Sequence, residues 1–169
     1  MKTLIAVFAV VIAAGGTAPG ATFQPASLFF TAFGGSWSCA AHAPAAKTAR
    51  ERIFRTPWIV ARAPGGDWTT VRWNGNRGGI AYVAYVRALK MWLYDDYHYD
   101  GSFYRDFSTG PDAKGIWRWY DSHDQLHADP NGGPIEWQRV SATSFRQTYW
   151  SKENGKRVYH GYSLCTAVR

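Results

Sequence analysis

The sequence has few of the residues on which a catalytic reading usually rests. It has only two cysteines, neither in a Cys-x-x-Cys spacing nor next to a histidine, so nothing marks a lowered thiol pKa and no thiol catalysis is expected. No block of like charge occurs. The arginines stand singly, from Arg52 to Arg157, against few acidic residues, and the formal charge of +7 is therefore spread out. Such a surface favours weak attraction to anionic envelope components and does not fix a fold. There is no Ser-His-Asp order, phosphate-cradling Gly-x-x-x-x-Gly-Lys loop, dinucleotide-binding glycine pattern or glycosidase-like carboxylate pair. Beyond the first residues no apolar period of 3.6 is sustained, and no internal repeat or low-complexity tract appears. Helical bundles and repeat arrays are thereby excluded, and no catalysis is expected from motif alone.

The N-terminus carries Lys2, an apolar run from Leu4 to Ala14, and small residues with Pro19 up to Ala21. This is the order of a secretory signal peptide over 1–21, with cleavage between Ala14 and Ala21. The run is about half of the ~20 residues a membrane span needs, so no span is expected. No cysteine follows it to take a lipid. A secreted or periplasmic location results, and removal of Lys2 leaves a charge of about +6. Oxidising compartments permit a Cys39–Cys165 disulfide, which would close a loop worth on the order of 4 to 5 kcal/mol in chain entropy. Two buried free thiols are the alternative.

A lead-in over 22–29 precedes one domain over 30–169, the size of a single core. Its first strand is expected from Phe30 to His42. The segment around Pro57 reads as an edge, a bulge or a break. Short runs rich in Val, Ile, Trp and Tyr then alternate with turns such as Pro64-Gly65-Gly66-Asp67, Asp100-Gly101 and Glu153-Asn154-Gly155. Roughly nine or ten strands at intervals of about 8 to 12 residues predict an all-β antiparallel meander barrel. The 9 Trp, 10 Tyr and 9 Phe exceed the needs of a small core, so some rings are expected to line a cavity.

Gly35-Ser36-Trp37 on a first strand, ahead of a strand meander, resembles the calycins, which include lipocalins and nitrobindin-like barrels. With Cys39 two residues beyond and Cys165 on the last strand, the chain is similar to small exported bacterial barrels of unassigned function. The resemblance implies first and last strands side by side. It also implies that Trp37 packs at the closed end of the barrel beneath a late arginine, for which Arg157 and Arg169 are the candidates. Nitrobindin-like members hold haem through a late histidine, here His160. If Trp37 and Cys39 point inward, Cys165 shares that face and His160 points out unless a bulge intervenes, so no haem and no other cofactor is expected.

The expected function is non-covalent binding of a small, partly apolar ligand, anionic or neutral, by a monomer. Tyr82, Trp92, Tyr94, Phe103, Trp117 and Trp119 would supply the walls, and an arginine would orient the ligand's polar end. Their facing is open by one register step. The first alternative is an enzyme or metal site on Asp96, His98 and Asp100, which alternation would put on one strand face. A second polar cluster, His123 with His127 between Asp124 and Asp129, lacks the glutamate of a zinc hydrolase. A structural module of the envelope, its barrel filled by its own side chains, is the last. Arginine interleaved with rings at Trp117-Arg118-Trp119 reads as barrel patterning, and with export no nucleic-acid partner is expected.

Overall fold

Along β1 (Gly35–His42) Trp37 and Cys39 are buried while the residues between and beyond them are partly exposed, a two-residue period that sets one face against a core. Nine further strands follow, β2 (Ile53–Arg62), β3 (Thr69–Trp73), β4 (Gly79–Val86), β5 (Met91–His98), β6 (Phe103–Ser108), β7 (Ile116–Trp119), β8 (Ile135–Ser141), β9 (Ser144–Glu153) and β10 (Lys156–Ala167). The period recurs clearly in β3 and β7, whereas β5 is buried on both faces over its first five residues. The computed structural model describes residues 27–42, 53–65, 67–74, 78–122 and 133–169. The expected signal segment, the 43–52 connection and the His123/His127 loop lie outside the described residues.

All ten strands join one antiparallel sheet in the order β6-β5-β4-β3-β2-β1-β10-β9-β8-β7. Each strand pairs with its sequence neighbour except across β6 and β7, while the first and last pair directly. The sheet curls until Phe107 on β6 exchanges two backbone hydrogen bonds with Tyr120, at 2.8 and 2.9 Å, which nearly closes a barrel. Pro57 sits inside β2 without breaking it. Its carbonyl accepts from Asn74, just past the end of β3, so its missing N–H falls where that neighbour has already turned away.

The chain enters the barrel differently from the expected strand at Phe30. Residues Ser27–Phe33 form a helix, α1, whose Phe29 and Phe33 lie one turn apart and are fully buried. Phe29 packs on Trp117, Trp119 and Trp137 at 5.2 to 5.8 Å, and Phe33 on Trp137 and Phe145 at 5.3 and 5.4 Å. Each burial contributes roughly 1.5–3 kcal/mol. Helix passes to strand through Gly34 and Gly35. A Cβ on Gly34 would lie 2.6 Å from the Phe30 carbonyl, and Gly35 has φ +130°, so only glycine makes this corner without strain.

Cys39 and Cys165 are direct partners in the β1–β10 register and form a disulfide across 126 residues of chain. Trp37, one alternation below, donates its indole N–H to Phe33 O at 2.8 Å. The arginine above its ring is neither Arg157 nor Arg169 but Arg139 of β8, 4.8 Å from the ring centroid and held by a hydrogen bond to Ala142 O in the β8–β9 turn. Arg157 instead covers Trp150 at 4.1 Å.

Candidate functional site

The barrel interior changes character along its axis. At the α1 end it is occupied by the buried Phe29 and Phe33 and the rings packed on them. Beyond the Phe29 cluster, towards the end where β5 finishes at His98 and β6 begins, a cavity of about 210 Å³ is lined by Trp58, Trp73, Trp119 and Trp137 together with Tyr94, Asp96, His98, Asp106, Gln147 and Tyr149. The volume lies below the ~300 Å³ at which drug-sized pockets begin, which suits a small molecule.

Alternation on β5 aims Tyr94, Asp96 and His98 inward and leaves Asp95 and Tyr97 outside. His98 Nε2 lies 3.1 Å from Asp96 Oδ2, and its ring meets Trp73 at 5.5 Å and Tyr104 at 5.4 Å, which hold the imidazole in place. Asp106 joins them from β6, where it is the register partner of Tyr94. Across the cavity Tyr149 donates to Gln147 Oε1 at 2.9 Å, which leaves the Ser163 hydroxyl to donate to Tyr149 at 3.2 Å. Two atoms in the wall, the acceptor Asp96 Oδ1 and the donor Trp119 Nε1, are buried with no hydrogen-bond partner among the described residues. Such groups cost about 1–3 kcal/mol each unless something satisfies them.

Burial governs the protonation of this wall. Asp106 is pushed up to about 7, first by loss of water and then by the negative charges of Asp121, Asp96 and Asp95. Asp96 is raised by burial, with His98 opposing the shift. The Tyr94 hydroxyl is raised well above the ordinary tyrosine value by burial and by Asp96 and Asp106, and Tyr149 by burial. Among the described residues neither arginine nor lysine lines the cavity. The described wall thus holds no arginine of the kind expected to orient a ligand, and Arg118 and Arg157 make their ion pairs elsewhere. Arg118 binds Asp112 at 2.7 Å and Glu136 at 3.2 Å, and Arg157 binds Glu136 at 3.3 Å, stapling β7, β8 and β10.

The residues expected from sequence divide into three places. Tyr94 and Trp119 stand in the cavity wall, 5.4 Å apart. Trp92 and Trp117 point inward too, but their rings, 4.9 Å apart, belong to the packed core beside Phe29. Tyr82 and Phe103 lie on the outside, 37% and 47% exposed, because their register partners are the outward Asp95 and Tyr97. Asp96 and His98 come together as alternation requires. Asp100 does not join them, since it lies beyond the strand in the turn, where it accepts from Ser102 N and Oγ at 2.9 and 2.6 Å. Among the described residues no group of three or more His, Cys, Asp or Glu could hold a metal ion.

His160 sits at a bulge between Tyr159 and Gly161. There it faces solvent and pairs with Ser151 Oγ at 2.7 Å. Asp106, Gln147 and Tyr149 were not singled out by sequence. The only signal for Asp106 was its parity with Ser108 on a strand whose apolar members, Phe103 and Phe107, turn outward against the usual pattern.

No protein-family model matches the chain, and no curated protein matches it. The fold and the site thus define the protein as a nearly closed ten-stranded antiparallel barrel, plugged by a helix at one end and hollow at the other. Among the described residues no helix is long and apolar enough to cross a membrane.

Proposed function

We propose that this is an exported, calycin-like barrel that binds a small, partly apolar molecule bearing a protonated amine or similar cationic group. The disulfide supports the location, since such bonds persist outside the cytoplasm. The carrying observation is that Asp96 and Asp106 share a cavity walled by indole and phenol rings, with no arginine or lysine among the described residues that line it. Ring faces and carboxylates both attract a cation, and desolvation strengthens both. Asp96 Oδ1 accepts the ammonium N–H, and Trp119 Nε1 is left to donate to a polar atom of the ligand. The unfilled space speaks against a barrel occupied wholly by its own side chains. The anionic ligand allowed by sequence fits less well, because it would meet two carboxylates.

Tyramine and its matched carboxylate, 4-hydroxyphenylacetate, test the charge preference by tryptophan fluorescence titration. The amine is expected to bind about tenfold or more tightly, a gap of ~1.4 kcal/mol. Its affinity should rise from pH 5.5 to 8 as Asp106 ionises through about 7. Equal binding, or preference for the carboxylate, refutes the reading.

The Asp96–His98 contact favours one further reading, an acid–base enzyme acting in the same cavity, with His98 as base and Asp106 as the proton donor. Native mass spectrometry of protein taken from its exporting cell distinguishes the two. A co-purified compound that turns over, and ceases to do so in His98→Ala while still binding, selects the enzyme.

A further inference from the structure

A second feature lies on the opposite side of the wall. The outer faces of β4, β5 and β6, with the turn before β3, carry rings where polar side chains would be ordinary. Trp68, Tyr82, Tyr97 and Phe103 are 39, 37, 45 and 47% exposed. They touch in series: Trp68 to Tyr82 at 6.5 Å and 82°, Tyr82 to Tyr97 at 6.1 Å and 79°, Tyr97 to Phe103 at 4.9 Å and 42°. Contiguous exposed apolar surface of this kind marks a binding site more often than scattered single rings do.

The row borders a groove of about 320 Å³ shared by Trp68, Tyr82, Tyr97 and Asp95. Asp95 is only 7% exposed although its strand position faces outward. Arg105 of β6 clamps both of its oxygens, Nε to Oδ1 and Nη2 to Oδ2, each at 2.6 Å. This uses two of five guanidinium N–H donors, and 47% of the Arg105 side chain remains exposed at the rim. The turn that presents Trp68 is fixed by Ala63 N donating to Trp68 O at 2.9 Å.

We infer that this outer groove is a carbohydrate-binding site, taking neutral pyranosides with equatorial hydroxyls on Trp68 and Tyr97. The charges in its floor cancel, so on a protein of formal charge +7 the groove is matched to a neutral occupant rather than an ionic one. The negative face of an aromatic ring attracts the weakly positive C–H bonds that line one side of such a sugar. The exposed guanidinium of Arg105, held flat by Asp95, keeps N–H donors free at the rim to reach a sugar hydroxyl. The volume suits one or two sugar rings. A stable protein partner would need about 800 Å² on each side, far more than a groove of four rings provides.

Cellotetraose and chitotetraose, titrated into the whole protein by calorimetry, test this. Saturable binding of at least one is expected. Trp68→Ala and Tyr97→Ala, each shown by near-ultraviolet circular dichroism to keep the fold, should weaken it about tenfold, the loss of one ring's contact. Asp106→Asn, inside the barrel, should leave it unchanged. No saturable binding of either sugar overturns the proposal. So does binding that survives both ring substitutions but is lost in Asp106→Asn, which would put the sugar in the cavity. Self-association of the wild type that Trp68→Ala abolishes would reassign the rings to a contact between copies and overturn it as well.

Discussion

At the α1 end of the barrel Phe29, Phe33, Trp117 and Phe145 are buried to within 1% in a cluster of apolar side chains, whereas at the far end Tyr94, Trp119 and Trp137 share their space with Asp96, Asp106 and Gln147. Both ends use the same kind of side chain. The difference lies in what stands between the rings. A dry end gains from every contact and costs nothing in desolvated charge. A polar end keeps carboxyl groups away from water, and is tolerable only because the other end and the disulfide hold the barrel closed. Stability is concentrated at one end and the candidate site lies at the other.

The comparison breaks most completely if the closed end is opened. Replacing both Cys39 and Cys165 by serine should lower folding stability by about 4–5 kcal/mol in the chain-entropy account, read from the urea midpoint. Truncating the plug with Phe29→Ala should cost about 3–5 kcal/mol. It should also let the cavity extend downward, so that tyramine binding weakens although no cavity residue changed. If binding is untouched, the two ends are independent and the division of labour is wrong.

The opposite sign is expected at the far end. The Asp106 carboxyl has a folded pKa of about 7, above the ~3.9 of an unfolded aspartate, so the folded state holds its proton more tightly. Its favourable contribution is therefore full below about pH 4 and is lost as pH rises through about 7. Asp106→Asn should be near neutral at pH 4 and a few kcal/mol stabilising at pH 8, while weakening amine binding. A variant no more stable at pH 8 than the wild type would mean that the cavity carries no such cost. The smallest effect is expected for Arg139→Ala, about 0.5–1 kcal/mol through the lost cation–π contact on Trp37.

The closed end was the more legible of the two from sequence. Gly35-Ser36-Trp37 and the two cysteines indicated strand adjacency, because a bond between first and last strands requires it, and the register pairs Cys39 with Cys165. The plug was missed. A helix of seven residues is too short to show a 3.6 period, and Phe29-Phe30 beside Phe33 reads equally as strand. In the middle of the chain facing hinged on one register step, and β6 inverts the usual rule by turning Phe103 and Phe107 out and Asp106 in. Asp96 and His98 were found because both lie within one strand. Gln147 and Tyr149 were not, because they reach the cavity from β9, and only the curl of the sheet brings β9 opposite β5.

The Cys39–Cys165 bond also changes what kind of object the chain is. The segment from 39 to 165 is a covalent ring that runs through every strand, with only short pieces of β1 and β10 outside it. A protease that cuts any loop in that ring linearises it and releases no fragment. Exposed loop tips are where such cuts fall, so a nicked molecule keeps all ten strands tethered and can close again around the same cavity.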